Sequence, residues 1–159
     1  MPTITIVTVI EATIDIVFDL ARSIDLHKIS TAHTNEEAVA GRTFGLIEMG
    51  ESVTWRARHF GITQHLTSKI TAFNKPFFFT DEMVKGAFKS FKHDHIFINN
   101  DGTTTMTDVF TYRSPLGIVG SFADKLFLKK YMKELLLERN RIVKQYAEDI
   151  SLYKKVLPQ

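Results

Sequence analysis

An Asp-Gly pair at positions 101 and 102, set between two runs of alternating side chains, constrains this chain more than any other stretch. The segment Phe88 to Tyr112, FKSFKHDHIFINNDGTTTMTDVFTY, reads as a β-hairpin, because Asp-Gly supplies the positive φ angles that a tight turn requires. If Asp101 and Gly102 are the two loop residues, Asn100 pairs with Thr103 and His95 stands opposite Asp108. A four-residue loop sets His93 opposite Asp108 instead. Either register joins a carboxylate to an imidazole. A three-residue loop faces Asp108 with Asp94, and directly opposed like charges disfavour it.

Period-two alternation gives this hairpin two faces. One carries Phe91, His93, His95, Phe97, Met106, Asp108, Phe110 and Tyr112; the other carries Lys92, Asp94, Ile96, Ile98, Thr105, Thr107, Val109 and Thr111. The second set is more polar and more β-branched, so it faces solvent. The inner face then combines aromatic rings with two histidines and a carboxylate. Burying ionisable groups without partners is costly, so an internal cavity explains this face better than a solid core does.

At 159 residues and 44% hydrophobic content, the chain is long enough to bury a substantial core, and one domain is expected over residues 1–150 with a frayed tail over 151–159. The net charge of +2 gives no sign of a nucleic-acid partner. Cysteine is absent, which excludes disulfides, thiolate nucleophiles and cysteine metal sites. The opening MPTITIVTVI lacks the basic lead and continuous apolar run of a secretion signal, and no stretch has the length of a membrane span. A cytoplasmic protein with no membrane insertion is the expectation. The oligomeric state is not legible.

Thr3 to Ile10 alternates as a strand. Thr13 then stands as an N-cap before Ile14, Val17, Phe18 and Ala21 at helical spacing, and Ser23 caps a further short helix through Ile24, Leu26 and His27. Residues 31–50 are polar and then glycine-spaced, at Gly41, Gly45 and Gly50. They match no phosphate-binding pattern and read as an irregular strand or flap at a cavity mouth. Glu51 to Phe60 alternates again, with Val53, Trp55, Ala57 and His59 on the apolar side and Arg56 and Arg58 facing water. Ile62, Gln64, Leu66, Ser68 and Ile70 form the inward row of the next strand. Phe77 to Lys85 is another strand, in which the run of aromatics leaves the facing of Asp81 and Glu82 open. Past a break at Ser114-Pro115-Leu116-Gly117, Ser121 with Asp124 resembles a capping box. A helix of nearly thirty residues, spanning about 40 Å at about 1.5 Å per residue, then runs to the region of Asp149. Its apolar stripe is Phe122, Leu126, Leu135, Ile142 and Tyr146, widened by Met132, Leu136 and Val143. Its solvated side carries Lys125, Lys129, Lys130, Lys133, Arg139, Arg141 and Lys144.

One strand, two short helices, an antiparallel meander and a long closing helix make an α+β chain whose sheet curls around that helix. The sequence resembles the SRPBCC, or START-like, helix-grip superfamily, which includes lipid-transfer domains, the birch-pollen allergen group and bacterial polyketide cyclase/dehydrase-like proteins. The resemblance rests on VTWRARHFG (Val53 to Gly61), DEMVKGAFKSFKHDHIF (Asp81 to Phe97), MTDVFTYRSPLG (Met106 to Gly117) and the closing helix. It departs at Thr13, where members often have proline. The resemblance implies a deep apolar cavity between sheet and helix that binds lipids, polyketides or aromatic metabolites.

The candidate ligand-contacting residues are Trp55, His59, Glu82, Met83, Phe88, Phe91, His93, His95, Met106, Asp108, Phe110 and Tyr112. The alternative to a binding protein is an enzyme of the aromatase/cyclase kind, in which His93, His95 and Asp108 supply acid–base chemistry. A weaker alternative is a macromolecular interaction module working through the basic helix. His93 and His95, with His59 and a carboxylate, have the right donor types for zinc or iron. The distance from His59 to the hairpin is not legible, however, and neither a metal nor a cofactor is expected.

Overall fold

The turn at Asp101-Gly102 sets the register of the sheet. Both residues have positive φ, 47° and 92°, as a two-residue hairpin loop demands. Asn100 therefore pairs with Thr103, and His95 stands opposite Asp108, which decides between the two registers that the sequence allows. A second hairpin of the same kind closes at Phe60-Gly61, with φ of 52° and 75°. Phe60 is thus a turn residue and not part of a strand face.

The computed structural model describes residues 1–114 and 127–157. The expected capping box at Ser121 and Asp124, the break over 115–117 and the helical residues Phe122, Lys125 and Leu126 lie outside the described residues. In chain order come β1 (Thr3–Ile10), α1 (Ile14–Ala21), α2 (Ile24–Ser30), a 3-10 turn (Ala32–Thr34), β2 (Glu37–Gly41), β3 (Ser52–His59) and β4 (Ile62–Asn74). There follow β5 (Phe78–Lys85), β6 (Ser90–Asn100), β7 (Thr103–Arg113), α3 (Lys129–Ala147) and α4 (Ile150–Tyr153). The strands form one seven-stranded sheet in the order β1-β7-β6-β5-β4-β3-β2, with every neighbouring pair antiparallel. Residues 31–50, ambiguous in the sequence, supply β2 at the sheet edge and a loop that returns to α2 through a bridge between Ser23 and Leu46.

Burial alternates along the hairpin. Phe91, His93, His95, Phe97, Met106, Asp108, Phe110 and Tyr112 are all buried, and Lys92, Ile96 and Ile98 are exposed. The inner face of the sheet and the short helices share one apolar cluster, in which the Phe18 ring meets Phe73, Phe79 and Phe97 edge-on at 5.4, 5.5 and 5.3 Å. A second cluster joins Ile4, Ile6, Phe91, Phe110 and Tyr112 to Leu136 of α3. Ser23 caps α2 by accepting from the Leu26 N–H at 3.2 Å, whereas the Thr13 side chain makes no cap bond to α1.

Two expectations for the C-terminal region are corrected. Arg139, read as part of the solvated side of the helix, is 7% exposed and lies with Leu136, Asn140, Val143 and Ala147 on the buried stripe. The tail after Asp149 does not simply fray. Asp149 caps α4 through Ser151, and Tyr153, Val156 and Leu157 pack against the core. No helix among the described residues is long and apolar enough to cross a membrane.

Candidate functional site

Three elements converge on Asp108. β7 points its carboxylate inward, where it is fully buried. β6 places two imidazoles beside it: His93 Nε2 donates to Asp108 Oδ1 at 3.0 Å, and His95 Nδ1 lies 2.8 Å from the same oxygen without an aligned hydrogen bond. From α3, Asn140 Nδ2 donates to Oδ2 at 2.7 Å and Arg139 Nη1 approaches Oδ1 at 3.3 Å. Arg139 also donates to the Asn140 side chain and to the Ala21 carbonyl, which ties sheet, α3 and α1 together.

The network continues on β5. Asp81 pairs in register with His93, and Phe79 with His95, so Asp81 faces inward. His95 Nε2 stands 3.1 Å from Asp81 Oδ1, and His93 Nδ1 is 3.8 Å from that oxygen. The two imidazole rings are 3.8 Å apart, centroid to centroid, and the Phe79 ring stacks on His95 at 4.2 Å. Each histidine therefore presents one nitrogen to Asp108 and the other to Asp81.

The electrostatics follow from these contacts. Burial alone raises the pKa of Asp108, but hydrogen bonds with His93 and His95 and the Arg139 charge outweigh it and hold the carboxyl well below the ordinary range. Burial and the neighbouring His95 push His93 down. Burial also opposes protonation of His95, yet its bonds to Asp108 and Asp81 win and raise it.

Between this network and α3 lies a partly enclosed cavity of about 510 Å³. Its wall is mostly apolar, including Ile47, Val53, Leu66, Ile70 and Leu136, and it reaches Asp81, His93, His95 and Arg139 at one pole. A second polar group lies elsewhere on the lining. There His59 Nδ1 and the Tyr131 hydroxyl are 2.7 Å apart, and the His27 ring lies tilted over Trp55, with centroids 4.2 Å apart, and 3.5 Å from Glu36. Burial lowers the pKa of His59. Burial of Glu36 is outweighed by His27, which holds that carboxyl low.

Of the residues singled out in the sequence, Trp55, His59, Phe88, Phe91, His93, His95 and Phe110 line this cavity. Asp108 stands behind the imidazoles. Met106 and Tyr112 are fully buried in the packed clusters, and Met83 packs against the second cluster without reaching the lining. Glu82 is corrected: it pairs in register with Lys69 and Lys92 on the outer face. Three network members, Asp81, Arg139 and Asn140, escaped the sequence reading. For Asp81 the missing fact was the strand register. For Arg139 the available signal was Asp108 itself, since a carboxylate on an apolar face demands a buried cation.

No family model matches the sequence, and no curated protein matches it. Solved structures do. An aromatase/cyclase, Zhui, from Streptomyces sp. R1128 superposes with a TM-score of 0.74 at 10% identity, covering 92% of this chain and 93% of that one. TTHA0849 from Thermus thermophilus gives 0.71 at 20% identity, over 89% of this chain and 97% of its own. Major latex-like protein 151 from Panax ginseng gives 0.68 at 18%, over 93% and 98%. This chain has the helix-grip fold. At these identities the likeness concerns architecture. The helix-grip sheet and its long C-terminal helix are what place the cavity and the buried network on facing surfaces.

Proposed function

We propose that this helix-grip protein encloses one small, largely apolar molecule, such as a lipid, polyketide or aromatic metabolite, and holds its polar end at the Asp81, His93 and His95 pole. The observation that carries this reading is a cavity of about 510 Å³ with an apolar wall that ends at buried ionisable groups. That volume lies within the roughly 300–1,000 Å³ usual for small-molecule sites. Apolar burial, at about 25 cal/mol per Å², supplies the affinity, and the polar pole sets the orientation. Trp55, the only tryptophan, lines the cavity, so its fluorescence reports occupancy. A panel of fatty acids, sterols and aromatic polyketides is expected to change that emission saturably.

A second reading is an enzyme of the aromatase/cyclase kind. The observation that favours it is a cavity-lining imidazole, His95, set between two carboxylates and protonated more readily than an ordinary histidine. An imidazole so placed can hand a proton to a carbonyl oxygen and recover it during aldol condensation or dehydration. Asp108 does not reach the cavity and acts by positioning the two rings. On this reading His95→Ala abolishes turnover of a poly-β-ketone substrate with the fold intact. Full turnover in His93→Ala, His95→Ala and Asp108→Asn together removes the reading.

A further inference from the structure

Asp81, His93 and His95 bring three donor atoms to one patch of the cavity wall, all within 4.8 Å of one another. Asp81 Oδ1 is 3.1 Å from His95 Nε2 and 3.8 Å from His93 Nδ1. In a tetrahedral site with bonds of about 2.1 Å, neighbouring donors lie about 3.4 Å apart. The two measured edges straddle that value. Asp81 is the only partly exposed member of the three.

We propose that Asp81, His93 and His95 form a binding site for one divalent first-row metal ion of the zinc or ferrous type, with its remaining coordination positions open to the cavity. Two imidazole nitrogens and one carboxylate oxygen are a donor set that such ions accept, and three protein ligands leave room for a further oxygen donor.

The groups behind the triad strengthen the assignment. A ligating histidine usually gives its other ring nitrogen to a carboxylate, which fixes the tautomer and aims the free lone pair at the ion. Here Asp108 does this for His93, at 3.0 Å from Nε2, and the same oxygen lies 2.8 Å from His95 Nδ1 without an aligned hydrogen bond. Asp108 is in turn fixed by Asn140 and Arg139. The ion takes the place of the proton that His95 shares with Asp81, and that proton leaves to solvent. His59, also on the cavity wall, is engaged with the Tyr131 hydroxyl and is not a member of the triad. All three ligands line the cavity, so an oxygen on a bound molecule can reach the open positions.

The site stands on the triad's geometry and not on the apolar-ligand reading, because metal is assayed with the cavity free of added organic molecules. The untagged full-length chain, stripped with chelator and dialysed, is titrated with cobalt(II) chloride under visible absorption and with zinc chloride by calorimetry. The expected result is one ion per chain, with d–d bands of nitrogen- and oxygen-ligated cobalt. Asp81→Asn weakens binding by more than about tenfold while leaving the circular dichroism of the folded protein unchanged. His95→Gln does the same if it folds. His65→Ala, which alters an exposed histidine on the outer face, binds like the parent. The proposal is overturned if the parent takes up no stoichiometric ion, or if Asp81→Asn binds cobalt and zinc as tightly as the parent.

Discussion

Asp108 has no exposure to solvent and keeps its charge because side chains from two other elements surround it: His93 and His95 from β6, Asn140 and Arg139 from α3. Removing one partner from a buried ion pair leaves an uncompensated charge. Arg139→Met is therefore expected to cost about 3–5 kcal/mol in urea unfolding, and a loss near zero refutes the structural role given to Arg139. The pH dependence follows from the same contacts. Asp108 is depressed, so its contribution is present above its ordinary value of 3.8 and is lost as pH falls through the lower folded value. His93 is depressed and folds preferentially neutral, so its contribution declines as pH drops below 6.5. His95 is raised, so its contribution is full below 6.5 and is lost as pH climbs through the folded value. The two histidine windows lie on opposite sides of 6.5, so urea midpoints are expected to peak near that pH, declining on either side, and to fall steeply below 3.8. Asp108→Asn is expected to flatten that acid limb.

At the scale of elements, the β6–β7 hairpin was readable because its turn and both its faces are written locally. Gly102 has a φ of 92°, which side-chain-bearing residues rarely adopt, and nothing crowds the position its Cβ would take. Gly102→Ala is therefore expected to cost about 1–2 kcal/mol through backbone strain alone, read as a shifted denaturation midpoint with cavity binding unchanged. β5 was harder, since Phe77, Phe78 and Phe79 in succession hide the alternation. Register irregularities against β4, between Thr67 and Ser68 and between Ile70 and Ala72, also break simple counting. That is why Asp81 and Glu82 could not be told apart. β2 is short, exposed and bulged between Ala38 and Ala40, and so carries little pattern of its own. On α3 the charge of Arg139 suggested solvent. Its burial depends on a partner 31 positions away, on another element, which helical periodicity does not reveal.

At the scale of the molecule, one curved sheet and one long helix enclose space that a solid core would fill, and the polar network sits at one pole of that space. Filling the cavity separates its two roles. Ala57, buried on the β3 wall, is a place to add volume: Ala57→Leu is expected to raise stability by about 0.5–2 kcal/mol while abolishing ligand uptake. A melting temperature that rises with uptake intact places the ligand elsewhere. The most direct test of the central claim is native mass spectrometry of the intact protein across the panel of fatty acids, sterols and aromatic polyketides, with Trp55 emission read in parallel. The account predicts one molecule bound per chain for at least one class, lost in Ala57→Leu, with a saturable change in emission. Bare protein throughout, with emission unchanged across the whole panel, contradicts it.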